Sequence, residues 1–259
     1  MKAIILVAFG SASLQGIRDS IELLEEDLRE EFNNEYTIFK AFTSKKVISL
    51  LKERHNYVIP YLSELLFNLA NDGYEEVNIV PLHMMKGKGY QGLVDIRNEY
   101  SYSFKKLRLL DTLLGSEEDK QEKTIRNMVT AMDEHMEDGK ILLSGHGSKE
   151  DSNSIYSKIE YEFNKRYKDK FYMATLEGSN TFDKVLSKLK RDDVKSITIK
   201  PLLIIPGKHY IHDISEGENS YVGILRSNGI ITSISKSSLL QYKKIRQLYI
   251  DNIKMAIKN

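Results

Sequence analysis

Apolar residues along this 259-residue chain fall into short runs rather than a continuous background. Eight runs, near 3–9, 36–42, 76–83, 107–111, 140–145, 171–176, 196–203 and 230–235, have the length and β-branched content of strands. They are nearly continuous in apolar residues, which is how parallel strands covered on both faces read. Between them apolar positions recur at helical spacing. Ile17, Ile21, Leu24 and Leu28 step by four, three and four and keep one face apolar. A last segment, about 238–257, carries Ile245, Leu248, Tyr249 and Ile253 in the same manner. Strand–helix alternation of this kind predicts an α/β protein built on parallel sheets.

The eight strands divide into two sets of four, with the break near the charged segment Ser116-Glu117-Glu118-Asp119-Lys120. The two sets resemble each other. Val7-Ala8-Phe9-Gly10-Ser11 answers Ser144-Gly145-His146-Gly147-Ser148. Ile79-Val80-Pro81-Leu82 followed by Gly87-Lys88-Gly89-Tyr90 answers Ile199-Lys200-Pro201-Leu202 followed by Gly207-Lys208-His209-Tyr210. A weaker match sets Phe42-Thr43-Ser44 against Glu177-Gly178-Ser179. The expectation is two similar Rossmann-like lobes, 1–115 and 116–259, each a four-stranded parallel sheet flanked by helices. The C-terminal helix is free to pack back on the first lobe, and a cleft lies between the lobes.

Composition narrows the chemistry. Hydrophobic residues make up 41% and charged residues 29%, as in ordinary globular chains. There is no cysteine, which removes disulfides, thiolate zinc sites, iron–sulfur clusters and a cysteine nucleophile together. The formal net charge of +1 gives no argument for nucleic-acid binding. The apolar opening Met1–Val7 stops at Phe9-Gly10 without a small-residue cleavage site, so it reads as a buried strand. No apolar stretch approaches the ~20 residues that span a bilayer, and a cytoplasmic enzyme with no membrane partner is expected.

In open parallel sheets, ligands bind outside the carboxyl ends of the strands. His146, Glu177 and His209 stand at or just after such ends, on three different strands of the second lobe. Two imidazoles and a carboxylate suit Co²⁺, Ni²⁺, Fe²⁺ or Zn²⁺, without choosing among them. At the answering positions the first lobe has Phe9, Phe42 and Gly89. Polar groups on one side and rings on the other suit a flat apolar substrate that presents its centre to a metal. Each residue also has a plainer explanation: a lone loop histidine is usually a hydrogen-bonding group, and Glu177 before Gly178 can cap a helix. Their coincidence at strand ends favours a site. His55 and His135 lie in helix-like segments and read as surface residues. His83 answers Leu203 and reads as structural, and His212 and Asp213 could orient His209 by hydrogen bonds.

The turn Phe9-Gly10-Ser11 could cradle a phosphate, but it lacks both G-x-x-x-x-G-K-[ST] and G-x-G-x-x-G, so no nucleotide is expected. Ser144-Gly145-His146-Gly147-Ser148 has histidine where a nucleophile elbow needs serine, which leaves a hydrolase without its nucleophile. Lys86, Lys88 and Lys208 lie on loops at the same rim, with Lys45, Lys46 and Arg54 on a neighbouring segment. Solvated lysines are common, yet clustered at a cleft mouth they would attract a polycarboxylate.

Together these motifs resemble the anaerobic sirohydrochlorin cobaltochelatases of the cobalamin pathway, which belong to the ATP-independent tetrapyrrole chelatases. The resemblance runs through Phe9-Gly10-Ser11, Lys40-Ala41-Phe42-Thr43-Ser44, Pro81-Leu82-His83, Gly145-His146-Gly147, Leu176-Glu177-Gly178 and Pro201-Leu202-Leu203 to Gly207-Lys208-His209. It implies a two-lobed chelatase with His146, Glu177 and His209 as the metal-binding and catalytic set. The implied substrates are Co²⁺ and sirohydrochlorin, an octacarboxylate isobacteriochlorin, or the related precorrin-2. The chain departs from the family where acidic residues are common, reading Lys86-Gly87-Lys88-Gly89 and Lys208, and the loop after Asp213 is shortened. These departures bear on metal choice, with Fe²⁺ and Ni²⁺ the alternatives, and on substrate grip. A carrier of metal or tetrapyrrole without turnover is the alternative of another class, and a homo-oligomer is compatible with all of these readings.

Overall fold

All eight expected strands form, each within two residues of its expected ends. They are β1 (Lys2–Ala8), β2 (Thr37–Phe42), β3 (Glu76–Pro81), β4 (Lys106–Leu109), β5 (Lys140–Gly147), β6 (Phe171–Glu177), β7 (Ser196–Pro201) and β8 (Ile231–Ile234). The computed structural model describes residues 1–33, 35–147, 153–205, 207–235 and 237–258, without the side chains of Glu134, His135, Asn153, Lys208, His209, Tyr210 and Ile211. Two four-stranded sheets result, in the orders β2-β1-β3-β4 and β6-β5-β7-β8, and every pairing is parallel. The repeat seen in the sequence is therefore a repeat of topology.

Strand periodicity sorts the side chains into three layers. On β1, Ile4, Leu6 and Ala8 point into one large core, while Ala3, Ile5 and Val7 point into a second with helices Leu62–Asn71 and Lys88–Glu99. On β5, Ile141 and Leu143 enter the same large core, and Leu142 enters a third with helices Phe182–Arg191 and Tyr221–Ser227. The large core thus lies between the two sheets and belongs to both. Each Ile, Leu or Val sealed there contributes roughly 1.5–3 kcal/mol.

The expected N-terminal helical face is buried throughout, with Ile17, Ile21, Leu24 and Leu28 no more than 1% exposed. The helix is not uniform, however. A π-helical turn, Arg18–Glu22, separates Leu14–Ile17 from Leu23–Phe32, and the Ser20 hydroxyl donates back to the Gly16 carbonyl at that point. Spacing of apolar residues does not report such a turn.

The last helix, Lys243–Lys258, begins after a short 3₁₀ turn, Leu239–Gln241, rather than at the expected 238. It packs on helix Glu118–Ala131 and on Leu23–Phe32. Arg246 donates to Asp27 at 2.6 Å and to the carbonyls of Leu240 and Gln241 at 2.9 and 3.1 Å. Lys254 pairs with Glu31 at 2.5 Å. A buried guanidinium is tolerable only when its donors find acceptors, and these ties fasten the chain's end to its beginning.

Candidate active site

In each sheet the chain leaves its first strand toward one edge and returns toward the other. The switch therefore falls between β1 and β3 in one lobe and between β5 and β7 in the other. Matching hydrogen bonds build both places. The Leu82 amide donates to the Val7 carbonyl at 2.7 Å, and the Leu202 amide to the Ser144 carbonyl at 2.8 Å. Further along, the Leu113 amide donates to the His83 carbonyl at 3.0 Å, and the Leu239 amide to the Leu203 carbonyl at 2.8 Å.

The four strand ends enclose one cleft of about 280 Å³. Phe9 and Gly10, with Leu82 through Met85, line it from the first lobe; His146 and Gly147, with Tyr156 and Leu202 through Ile205, line it from the second. Its walls are largely apolar. Both loops are already marked in the sequence, because Leu82-His83-Met84-Met85 and Leu202-Leu203-Ile204-Ile205 are largely apolar where connecting segments ordinarily run over the surface.

His146 is exposed near the end of β5, with Nδ1 3.4 Å from the Gly147 carbonyl oxygen. Its neighbours hold the backbone tightly. A Cβ on Gly145 would lie 2.4 Å from the Tyr156 ring, and the Tyr156 hydroxyl accepts from the Gly147 amide at 3.2 Å. Gly147 has φ +78°, and a Cβ there would fall 1.9 Å from the Glu177 carbonyl oxygen. Gly147 and Glu177 are register partners across β5 and β6, so the half-buried Glu177 stands one residue from His146. Thr175 fixes that end of β6 by donating to the carbonyls of Glu177 at 2.7 Å and Asn180 at 3.3 Å. Tyr156 carries no feature that marks it in the sequence.

His209 and Lys208 open helix Lys208–Ser215, which Gly207 caps just past the cleft residues Leu202–Ile205. Their side chains lie outside the described residues. Among the described residues no three His, Asp or Glu side chains converge to hold a metal, and the trio read from the sequence includes His209. His212 faces its own helix, with Nδ1 3.6 Å from Asp213 and Nε2 3.8 Å from Glu216, both beyond good hydrogen-bond length.

Several expectations need correction. Phe9 is 63% exposed on the cleft, but Phe42 is 0% exposed and belongs to the large core. Gly10, at φ +122°, lies over it, and a Cβ there would come within 2.8 Å of the ring. Pairing explains the error. Ala8 pairs with Phe42, and its counterpart Gly145 pairs with Thr175, so Phe42 answers the buried Thr175 and Ser44 answers Glu177. Ser11 is 2% exposed; its hydroxyl accepts from the Ser13 amide at 3.2 Å, so it shapes the turn rather than meeting a ligand. Lys86 is engaged with Asp111 at 3.2 Å and with Ser116 at 3.2 Å, and lies over the Tyr90 ring. Lys88 is exposed at the first position of helix Lys88–Glu99, the place that Lys208 takes in the other lobe.

Two parallel-sheet lobes with a cleft across both switch points define a bilobal α/β protein. The sequence matches the cobalt chelatase (CbiK) family over residues 2–258, and the chain belongs to that family. It is 24% identical to the sirohydrochlorin cobaltochelatase of Salmonella typhimurium strain LT2, over 99% of this chain and 96% of that one. Against the sirohydrochlorin cobaltochelatase CbiKC of Nitratidesulfovibrio vulgaris strain Hildenborough it is 24% identical, over 99% and 90%. The fold is shared with SirB of Bacillus subtilis subspecies spizizenii, a sirohydrochlorin chelatase solved in complex with cobalt. That match has a TM-score of 0.66 and 14% identity, covering 100% of this chain and 97% of that one. A second structure, SirB from Bacillus subtilis with Fe³⁺, gives a TM-score of 0.64 at 17% identity, covering 98% and 95%. No helix among the described residues is long and apolar enough to cross a membrane.

Proposed function

We propose that the chain is a sirohydrochlorin cobaltochelatase, inserting Co²⁺ into the free-base macrocycle and releasing two protons. Family membership supports the reaction. The observation that supports its location is the cleft, where His146 stands against the apolar walls made by Phe9, Met84, Met85, Ile204 and Ile205. A flat macrocycle needs such walls at its faces and a ligand near its centre.

His146 and His209 are the proposed imidazole ligands or proton acceptors, with Glu177 as carboxylate ligand and general base. Each step balances simply. A pyrrolic N–H bond breaks, its electron pair stays on nitrogen to bind Co²⁺, and the proton passes to a protein base. Lys88 and Lys208 are proposed to meet the substrate's carboxylates. Both sit at helix N-termini, where the dipole adds to their charge. The test is to mix the protein with sirohydrochlorin and Co²⁺, Ni²⁺ or Fe²⁺ in turn and follow the free-base absorption. Its catalytic loss with Co²⁺ is expected; stoichiometric retention of metal or ring without turnover would make the protein a carrier instead.

A further inference from the structure

One cleft residue has no part in the mechanism above. His83 follows β3 and lines the cleft from the first lobe, at the position that Leu203 holds in the second. Its backbone is pinned by the Leu113 amide. Its Nδ1 is buried and has no hydrogen-bond partner among the described residues. The ring can therefore exchange a proton only through Nε2. That atom occupies space that a side chain at residue 89 would take, 2.9 Å from the ideal Cβ position of Gly89. A Cβ at residue 89 would press on the ring and require it to shift.

Metal insertion creates a need for such a group. An imidazole or carboxylate whose lone pair binds Co²⁺ cannot use that pair to take a proton at the same moment. Two protons must leave the macrocycle, so a base that is not holding the metal would share that work with Glu177. We propose that His83 is that base, accepting a pyrrolic proton on Nε2 from the wall of the cleft opposite His146. The inference rests on the chelatase reading above. In the step, the neutral ring holds its own proton on Nδ1, the pyrrolic N–H bond breaks, its electron pair forms the N–Co bond, and the proton forms a new bond to Nε2. The resulting imidazolium gives its proton to water when the metallated ring leaves. Burial holds the His83 pKa below its ordinary value, and no charged side chain contributes to that shift. The ring is thus neutral and able to accept at pH 7, and it does not keep the proton.

The test is steady-state Co²⁺ insertion by the parent chain, His83→Gln, His83→Ala, Gly89→Ala and the His83→Gln/Gly89→Ala double variant. His83→Gln should lower kcat by about 10²-fold, the low end for a lost general base, and leave KM for sirohydrochlorin unchanged. Added imidazole should restore turnover to His83→Ala in proportion to its free-base form, which a merely structural histidine would not allow. Gly89→Ala, which keeps His83 but displaces its ring, should also lower kcat, and should add nothing in the His83→Gln background. Parent-like kcat in His83→Gln, absence of imidazole rescue, or additive losses in the double variant would overturn the assignment. An inactive parent would overturn the chelatase reading itself, and this role with it.

Discussion

Phe42→Ala removes a ring that is 0% exposed, packed under Gly10 in the core shared by both lobes. A cavity of that kind, in a fully buried site under the turn after β1, has little means of collapsing. The expected loss is about 3–5 kcal/mol of folding stability. For a chain of this length that corresponds to a fall in Tm of roughly 6–20 °C. Phe9→Ala is the matched control. Its ring is 63% exposed and lines the cleft, so removal should leave Tm nearly unchanged. It should instead weaken macrocycle binding by about 1–3 kcal/mol, on the scale of a ring stacked on an aromatic side chain. That is roughly a 5- to 150-fold rise in Kd. Thermal and urea unfolding, with an absorption titration of sirohydrochlorin, measure both quantities for both variants. Phe42→Ala with parent stability and weakened binding would show that the ring meets substrate after all, and would refute the burial argument.

Two other outcomes follow from the same geometry. Gly147→Ala should be far more damaging than its size suggests, because the new Cβ meets the Glu177 carbonyl at 1.9 Å and the backbone is at φ +78°. We expect Tm to fall and insertion to be lost together; a fully active, fully stable variant would contradict the β5–β6 geometry. Acid should act partly through Glu137, which pairs at 2.6 Å with Lys200, a side chain 0% exposed. Burial raises the Glu137 pKa, but hydrogen bonds from Lys200 and Ser235 outweigh it and leave the folded value below the ordinary one. Its contribution is therefore complete above the unfolded carboxylate pKa and is lost as pH falls through the lower folded value. Urea unfolding from pH 7 to 3 should show a shallower decline in Glu137→Gln than in the parent; equal slopes would remove this pair from the acid response.

The strands were legible because parallel strands covered on both faces must be apolar over their whole length. The duplication was legible because both lobes need the same turn chemistry after their first and third strands. The misplacement of Phe42 has a specific cause. Its match to Glu177 was displaced by two residues from the true partner, Ser44. A slip of two keeps a residue on the same face of a strand, so alternation cannot reveal it and only the pairing does. Tyr156 was invisible because its value lies in touching Gly145 and Gly147 from another element. Lys86 looked free at the cleft mouth because its partner Asp111 is distant in sequence and lies after β4. His83 read as structural because the sequence shows neither its place on the cleft nor its unpartnered nitrogen.

The claim at the centre of this account is that Co²⁺ enters the macrocycle at the cleft end of β5. Single-turnover insertion into sirohydrochlorin by His146→Ala, with its unfolding curve recorded beside the parent's, tests it most directly. His146 is exposed, so the fold should be unaffected, while the insertion rate should fall by at least ~10²-fold. A folded His146→Ala protein that inserts Co²⁺ at the parent rate would place the chemistry elsewhere and contradict the account.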